Sequence, residues 1–475
     1  MSFDSAAFVV FFPVVTLLYF LLPHGARIGL LLVASAVFYM AFVPSYIFIL
    51  ATTIVVDYIA GRMIEVSTGA RRRLFLALSI VVNVGFLAFF KYFNFINDNF
   101  SLAAHLFHVT NPISNLSILL PIGLSFHTFQ AMSYTIEVFS GRQKAERSFG
   151  IFALYVLFYP QLVAGPIERP QNLLFQFREK HYFDYDRVVG GLKLMAWGFF
   201  KKIVIANGMA QLVNPVYNKP HLASGLAMAF ATLCFSFQIY ADFSGYTDIA
   251  RGAAQVMGFS LMRNFNSPYL STSVSQFWTR WHISLSTWFR DYLYIPLGGN
   301  RVPFWRWQVN LLIVFLISGL WHGAKWTFVI WGALHASYLI IEHCRRRWGK
   351  EISLPFSETA RARASGVLVF VVVTLSWIFF RANNVSDAFY IVSHLDTGWQ
   401  WHEVRKIFHH DRVNVYLMLA LAAFLLWAES GRGVAWYERA IQPNARLRWA
   451  SYYVLITAIF MLGTFGNNRF IYFQF

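Results

Sequence analysis

Charge is scarce in this chain. Asp, Glu, Lys and Arg make up 13% of its 475 residues, where a soluble domain carries about 25%. That shortage excludes an ordinary water-exposed surface. Cysteine is scarcer still: Cys234 and Cys344 are the two present, too few for a disulfide framework or a cysteine-rich metal site. Acidic residues number 22 against 39 Lys and Arg, a formal charge of +17. No G-x-S-x-G elbow, H-E-x-x-H zinc helix or Walker A loop occurs, which weighs against hydrolase, metalloprotease and ATP-driven readings. No internal repeat of the kind that marks many secondary transporters is evident. Met1 to Ala7 lacks a basic n-region and no A-x-A-like site follows the first apolar run, so residues 7–22 read as a retained span and not a cleaved signal.

What is abundant is apolar bulk. Hydrophobic residues make up 57% and aromatic residues 19%, including 50 Phe and 16 Trp, and mean hydropathy is +0.50. An integral membrane protein follows. Long runs separated by basic loops favour helices over a barrel, whose strands would be about ten residues of strict alternation. Candidate spans are 7–22, 28–43, 45–60, 74–92, 115–138, 188–209, 225–241, 308–342, 364–381, 413–428 and 449–465. The run 308–342 is too long for one simple span, and Pro160, Gly165 and Pro166 predict a broken or re-entrant element over 150–166. The positive charge sits in short loops, so positive-inside bias explains it better than nucleic acid does. The same loops can meet anionic lipid head groups or an anionic cytosolic substrate. Clusters at Arg71–Arg73, Arg142–Arg147 and Arg345–Lys350, with Arg361 and Arg363, are expected on the cytoplasmic side. The N-terminus, 93–114 and 382–411 are then expected outside, the last as an interfacial helix because it carries Arg405 and Lys406. A single polytopic membrane body over 1–475 is the simplest organisation.

Polar groups inside such sequence are costly and mark function. The foremost is the stretch from Ser318 to Trp326, with His322 at its centre. Imidazole titrates near neutrality, so it can take a proton from an alcohol and return one to a leaving group. Gly319 and Gly323 leave room beside it, and Trp321 and Trp326 can wall an acyl channel. His335, further along, has no partner spacing and reads as structural. In the run from Tyr240 to Asp248, Asp242 reads as an internal polar group. Asp248 reads equally as the cap of a helix before Ile249. From Trp278 to Tyr292, a helix would align Trp278, Trp281, His282 and Leu285 on one stripe. His282 there can bind substrate or help activate a hydroxyl. Arg280 and Arg290 can bind phosphate or snorkel to head groups. Gly298 and Gly299 suit a turn. His127 and Gln130, three apart, can face one cavity or pack between helices. Glu168 and Arg169 read as an entrance or as interfacial anchors. None of these spacings specifies a metal site.

Taken together, the phrases Asp242 to Asp248, Arg280 to Trp288, Arg290 to Arg301 and Gly319 to Ala324 resemble the membrane-bound O-acyltransferase family. Pro121 to Phe126, Leu162 to Pro166 and Tyr472 to Phe475 extend the likeness over nearly the whole chain. The closer similarity is to the bacterial branch that acetylates alginate and D-alanylates lipoteichoic acid, and within it to the alginate-type members. That resemblance implies an all-α, multi-span fold with re-entrant segments around a central funnel or tunnel, and a catalytic region over 121–335. It implies His322 as catalytic residue and His282 as a second catalytic or substrate-positioning histidine. Arg280, Arg290 and Trp321 are the expected donor or tunnel contacts. It further implies acetyl-CoA as a cytoplasmic co-substrate with no tightly bound cofactor and no metal. The acceptor would be an extracytoplasmic polysaccharide, alginate first and cellulose or peptidoglycan next, reached with a secreted or membrane-anchored acetyltransferase partner. The expected location is the bacterial inner membrane. Two other classes stand beside it: a glycan transporter, and a non-catalytic membrane scaffold.

Overall fold

The computed structural model describes residues 1–118, 120–348, 357–400, 412–465 and 471. Among these residues every regular element is helical. In chain order they are α1 (Ala6–Leu21), α2 (His24–Met40), α3 (Ile47–Val66), α4 (Gly69–Leu87), α5 (Phe93–Leu106), α6 (Leu124–Phe139), α7 (Phe149–Leu157), α8 (Pro170–Leu173), α9 (Tyr185–Phe199) and α10 (Asn207–Asn218). There follow α11 (Gly225–Met257), α12 (Val274–Arg280), α13 (Ile283–Phe289), α14 (Phe304–His322), α15 (Trp326–Trp348), α16 (Glu358–Arg381), α17 (Val385–His394), α18 (Arg412–Ala428), α19 (Gly431–Trp436) and α20 (Ala445–Leu462). Among the described residues five helices are long and apolar enough to cross a membrane, or six if the bent pair 415–441 counts as one. The all-helical, multi-span expectation holds.

The chain divides into two compact units, residues 1–195 with 246–262, and residues 196–245 with 263–475. In the first, α3, α4 and α6 pack around a buried polar knot. Ser79 Oγ donates to Asp57 at 2.5 Å and Asn83 Nδ2 donates to it at 2.8 Å, with Thr135 2.9 Å from Ser79. All four side chains are fully buried. A carboxylate in apolar surroundings is tolerated because donors surround it.

Several expected spans shift for identifiable reasons. The run 115–138 is helical only from Leu124. Before it, Pro121 lacks a backbone donor, Gly123 takes φ +76°, and Asn94 and Asn97 side chains bond the carbonyls of Leu116 and Ile113. The span 225–241 continues to Met257, and Asp242 within the longer helix is paired with Lys202. The break expected in 150–166 is present: α7 ends at Leu157 and turns follow. Part of the expected outer segment is helical as α17, while Arg405 and Lys406 lie outside the described residues, as does Tyr472 to Phe475.

The long run 308–342 is two helices, α14 and α15, joined at Gly323–Lys325. Their backbones touch. A Cβ on Gly319 would stand 2.2 Å from the Phe328 carbonyl oxygen, and one on Gly332 2.2 Å from that of Phe315. No side chain fits at that distance. Gly332→Val is therefore expected to lose most folded protein, while Gly29→Val, where nothing lies within 4 Å, leaves it unchanged. Thermal unfolding of the two variants in detergent checks this, and equal melting temperatures would refute the close-approach argument.

Candidate active site

The site lies in the second unit and begins at a break. The expected stripe through Trp278, Trp281, His282 and Leu285 is not one helix: α12 ends at Arg280 and α13 starts at Ile283. His282 adopts the left-handed conformation, φ +43°, which non-glycine residues rarely occupy. The cause is tertiary. Asn264, 1% exposed, accepts at its backbone oxygen from the Ile283 N–H (2.9 Å) and at Oδ1 from the Ser284 N–H (3.1 Å). Asn266 N–H donates to the Arg280 carbonyl at 2.9 Å. The 263–266 strand of chain thus fastens both sides of the break, and His282 is turned inward, 1% exposed. Burial pushes its imidazole down to about 3, so the ring is neutral near pH 7.

His322 closes α14 and is 5% exposed. The two imidazoles face each other with ring centroids 6.4 Å apart. Trp321 touches both, at 5.0 Å from His322 and 6.0 Å from His282. Trp331 and Phe380 stand edge-on to His322 at 5.1 and 5.3 Å, and Phe243 stands edge-on to His282 at 4.6 Å. The sequence places these histidines forty residues apart; the fold brings them together in an aromatic, water-poor chamber, where proton transfer to a ring nitrogen meets little solvent competition.

A cavity of about 340 Å³ approaches this chamber. Trp307, Leu311, Val314, Phe315 and Ser318 of α14 line it, one helical face whose next member, a turn beyond Ser318, is His322. Leu339, Glu342, His343 and Arg346 of α15 line the opposite side. Trp278, Leu285, Phe289 and Arg290 complete the wall among others. Arg290 and Arg346 keep more than half of their side-chain surface exposed. Glu342 accepts from Ser275 Oγ and from the Val274 and Ser275 N–H groups, and pairs with Arg346 at 2.6 Å. It therefore fixes the start of α12 against α15. Of the expected donor contacts, Arg290 is in this wall, Trp321 sits between the histidines, and Arg280 is outside the lining. In the sequence Arg346 reads as part of a basic cytoplasmic cluster and not as a cavity residue, and His343 is not singled out, although their spacing from Leu339 on a helix is readable.

The remaining polar candidates separate clearly. Asp242 is internal, 3% exposed. It pairs with Lys202 at 2.5 Å and accepts from the Ile471 N–H at 2.8 Å. Asp248 caps no helix: it lies inside α11 and pairs with Arg251 at 3.3 Å. Glu168 is neither an entrance nor an anchor, being fully buried and bonded by Asn172 and the Met262 N–H, both at 2.5 Å. Burial raises its carboxyl to about 7. His127 and Gln130 are both buried in α6, Gln130 donating to the Tyr155 carbonyl.

Comparison with known proteins identifies the family. The family model for MBOAT, membrane-bound O-acyltransferase, matches residues 86–382. The chain is 38% identical over 449 residues to the probable alginate O-acetylase AlgI of Pseudomonas aeruginosa, covering 94% of this chain and 84% of that protein. It is 38% identical over 405 residues to the Azotobacter vinelandii protein of the same name, covering 84% and 79%. It is 35% identical over 419 residues to the peptidoglycan O-acetyltransferase of Helicobacter pylori, covering 81% and 78%. The chain belongs to the membrane-bound O-acyltransferase family. It is a multi-pass membrane enzyme that transfers acyl groups.

Proposed function

We propose that this protein passes acetyl groups from cytoplasmic acetyl-CoA to an extracytoplasmic polysaccharide, alginate foremost, in the bacterial inner membrane and through a secreted or membrane-anchored acetyltransferase partner. The observation that carries the reading is the cavity that leads along α14 to within one turn of His322. Its exposed end holds Arg290 and Arg346, and positive-inside bias puts the Arg345–Arg347 end of α15 in the cytoplasm. Guanidinium groups there suit the phosphates of a CoA donor, and the apolar wall suits its thioester arm. Trp321 lines the last part of the path, between the imidazoles. His322, at the other end of α14, faces the outer side. It takes the proton of the acceptor hydroxyl as that oxygen attacks the acetyl carbonyl, and returns it to the departing CoA thiolate. His282, neutral and 6.4 Å away by ring centroids, positions the acceptor.

The acidic polymer is favoured by charge at the His322 end. Lys325 follows His322 on the α14–α15 connection, and its Nζ reaches the Asn383 carbonyl at 3.5 Å. Lys325 is exposed at the surface, and partial desolvation and the nearby Arg381 both lower the pKa of its ammonium, so an incoming anion is favoured there. Arg381 is 8% exposed and is held by Asn214 and Asn218 carboxamides. Among the described residues no carboxylate pairs with either cation. The relatives named for alginate acetylation point the same way.

The test is transfer of radiolabelled acetyl from acetyl-CoA by the purified chain in nanodiscs, with the candidate partner present. Polymannuronate and neutral β-glucan oligomers serve as rival acceptors. Label on the polyuronate, reduced about tenfold by Lys325→Gln, is the expected result. Label only on neutral glycan or peptidoglycan would overturn the acceptor assignment, and no label from acetyl-CoA with folded protein would overturn the donor.

A further inference from the structure

Buried N–H groups almost always have a partner, and those that lack one call for a reason. Three such side chains form a cluster that reaches His322 through Trp331. The Nε1 atoms of Trp278 and Trp331 and both ring nitrogens of His335 are buried with no hydrogen-bond partner among the described residues. Trp331 and His335 are fully buried. Their rings form one cluster, with Trp278 to His335 at 5.0 Å, Trp331 to His335 at 4.9 Å and Trp278 to Trp331 at 5.8 Å. Trp331 is also the residue standing edge-on to His322.

A structural histidine ordinarily bonds a backbone carbonyl or a carboxylate. His335 instead sits among aromatic rings, nearly parallel to Phe277 and Phe315 with centroids 6.3 and 6.4 Å away. A neutral imidazole there offers one N–H donor and one bare nitrogen. The cluster also has an address. Trp278 is in the cavity wall on one side and against His335 on the other. His335 is one turn beyond the cavity-lining Leu339 on α15, as His322 is one turn beyond Ser318 on α14. The donors therefore stand just past the inner end of the cavity, screened by one indole ring.

We propose that the Trp331 indole and the His335 imidazole are the carbonyl-binding site of the acyl donor, their N–H groups receiving the thioester oxygen once Trp278 turns aside. This rests on the donor reading above. As the acceptor oxygen bonds to the carbonyl carbon, its proton passes to His322 and the C=O electron pair moves onto oxygen, where the two N–H groups hold the negative charge. The pair then re-forms the C=O bond, the C–S bond breaks, and the thiolate takes the proton from His322. Donors already desolvated and unpaired need no reorganisation at that moment.

Trp331→Phe keeps a ring against His322 and removes the N–H. His335→Leu removes both nitrogens, and His335→Gln restores a donor. Steady-state acetyl transfer from acetyl-CoA in nanodiscs should show kcat lower by about 10²-fold in Trp331→Phe and His335→Leu, with KM and melting temperature unchanged and partial recovery in His335→Gln. If Trp331→Phe does not fold, the two His335 variants decide alone. Variants with kcat within about threefold of wild type, or a loss matched by the fraction unfolded with no recovery in His335→Gln, would overturn the assignment. Wild-type turnover in the same preparation separates the two readings. Its absence refutes the donor, whereas wild-type turnover with undiminished variants refutes the carbonyl site alone.

Discussion

His322→Ala should lower acetyl transfer by about 10²–10⁴-fold, the span that a positioned general base contributes, without lowering the amount of folded protein. The side chain is packed among Trp321, Trp331 and Phe380, so truncation leaves a void and not a stranded charge, and the helix it terminates keeps its Gly323 N–H to Gly319 carbonyl bond. Label transfer and thermal unfolding on the same sample read the two quantities separately. Undiminished transfer at normal protein level would remove His322 from the chemistry. His282 makes a complementary statement about pH. Burial depresses its pKa to about 3; protonation is confined to pH values near or below that, and the neutral ring prevails above. Any acid limb of the pH–rate profile above about pH 5 must therefore belong to another group, and a limb at that pH that disappears in His282→Asn would contradict the buried, neutral imidazole.

How much of this was legible depended on how local the cause was. The interruption of 308–342 could be read from the polar, glycine-containing phrase around His322, because a break in an apolar run is a property of neighbouring residues. The break at His282 could not. Trp278, Trp281, His282 and Leu285 have helical spacing, and it is the bonds of Asn264 and Asn266, remote in sequence, that hold the backbone on either side of the left-handed residue. Asp248 misled for the opposite reason: Asp before an apolar run is a sound capping signal, but the helix had already begun at Gly225. The cavity was half legible. Ser318 and His322, or Leu339 and Arg346, share helix faces by arithmetic; that the two faces look at each other across a space needed the fold. His335 was read as structural from its spacing, and spacing is silent about whether a ring nitrogen finds a partner. Lys201 and Lys202, inside the expected apolar run 188–209, carried a signal that went unused: two lysines in such a run require carboxylates nearby.

Those carboxylates set the second large effect. Asp242→Ala should destabilise the protein by about 3–5 kcal/mol, the usual consequence of leaving one partner of a buried ion pair without the other. Lys202 and Asp242 keep 5% side-chain exposure each and meet at 2.5 Å, and the same carboxylate accepts the Ile471 N–H. Beside this pair, Lys201 meets Glu429 at 3.5 Å and Tyr240 donates to Glu429, so consecutive lysines anchor α11 and the end of α18 through separate acids. Removing Asp242 strands the Lys202 ammonium in apolar surroundings and releases the Ile471 amide at once. It also loosens α11 at the residue before Phe243, whose ring packs on His282, so activity should fall even in the fraction that stays folded. The double variant Lys202→Met/Asp242→Leu removes both charges and should recover most of the melting temperature, because replacing a buried pair with apolar groups of like volume is often neutral or better. Its transfer rate should recover less, since the Ile471 N–H has lost its acceptor. Melting temperatures of the single and double variants decide the matter: a double variant no more stable than Asp242→Ala would mean that the carboxylate acts through bonds other than its pairing with Lys202.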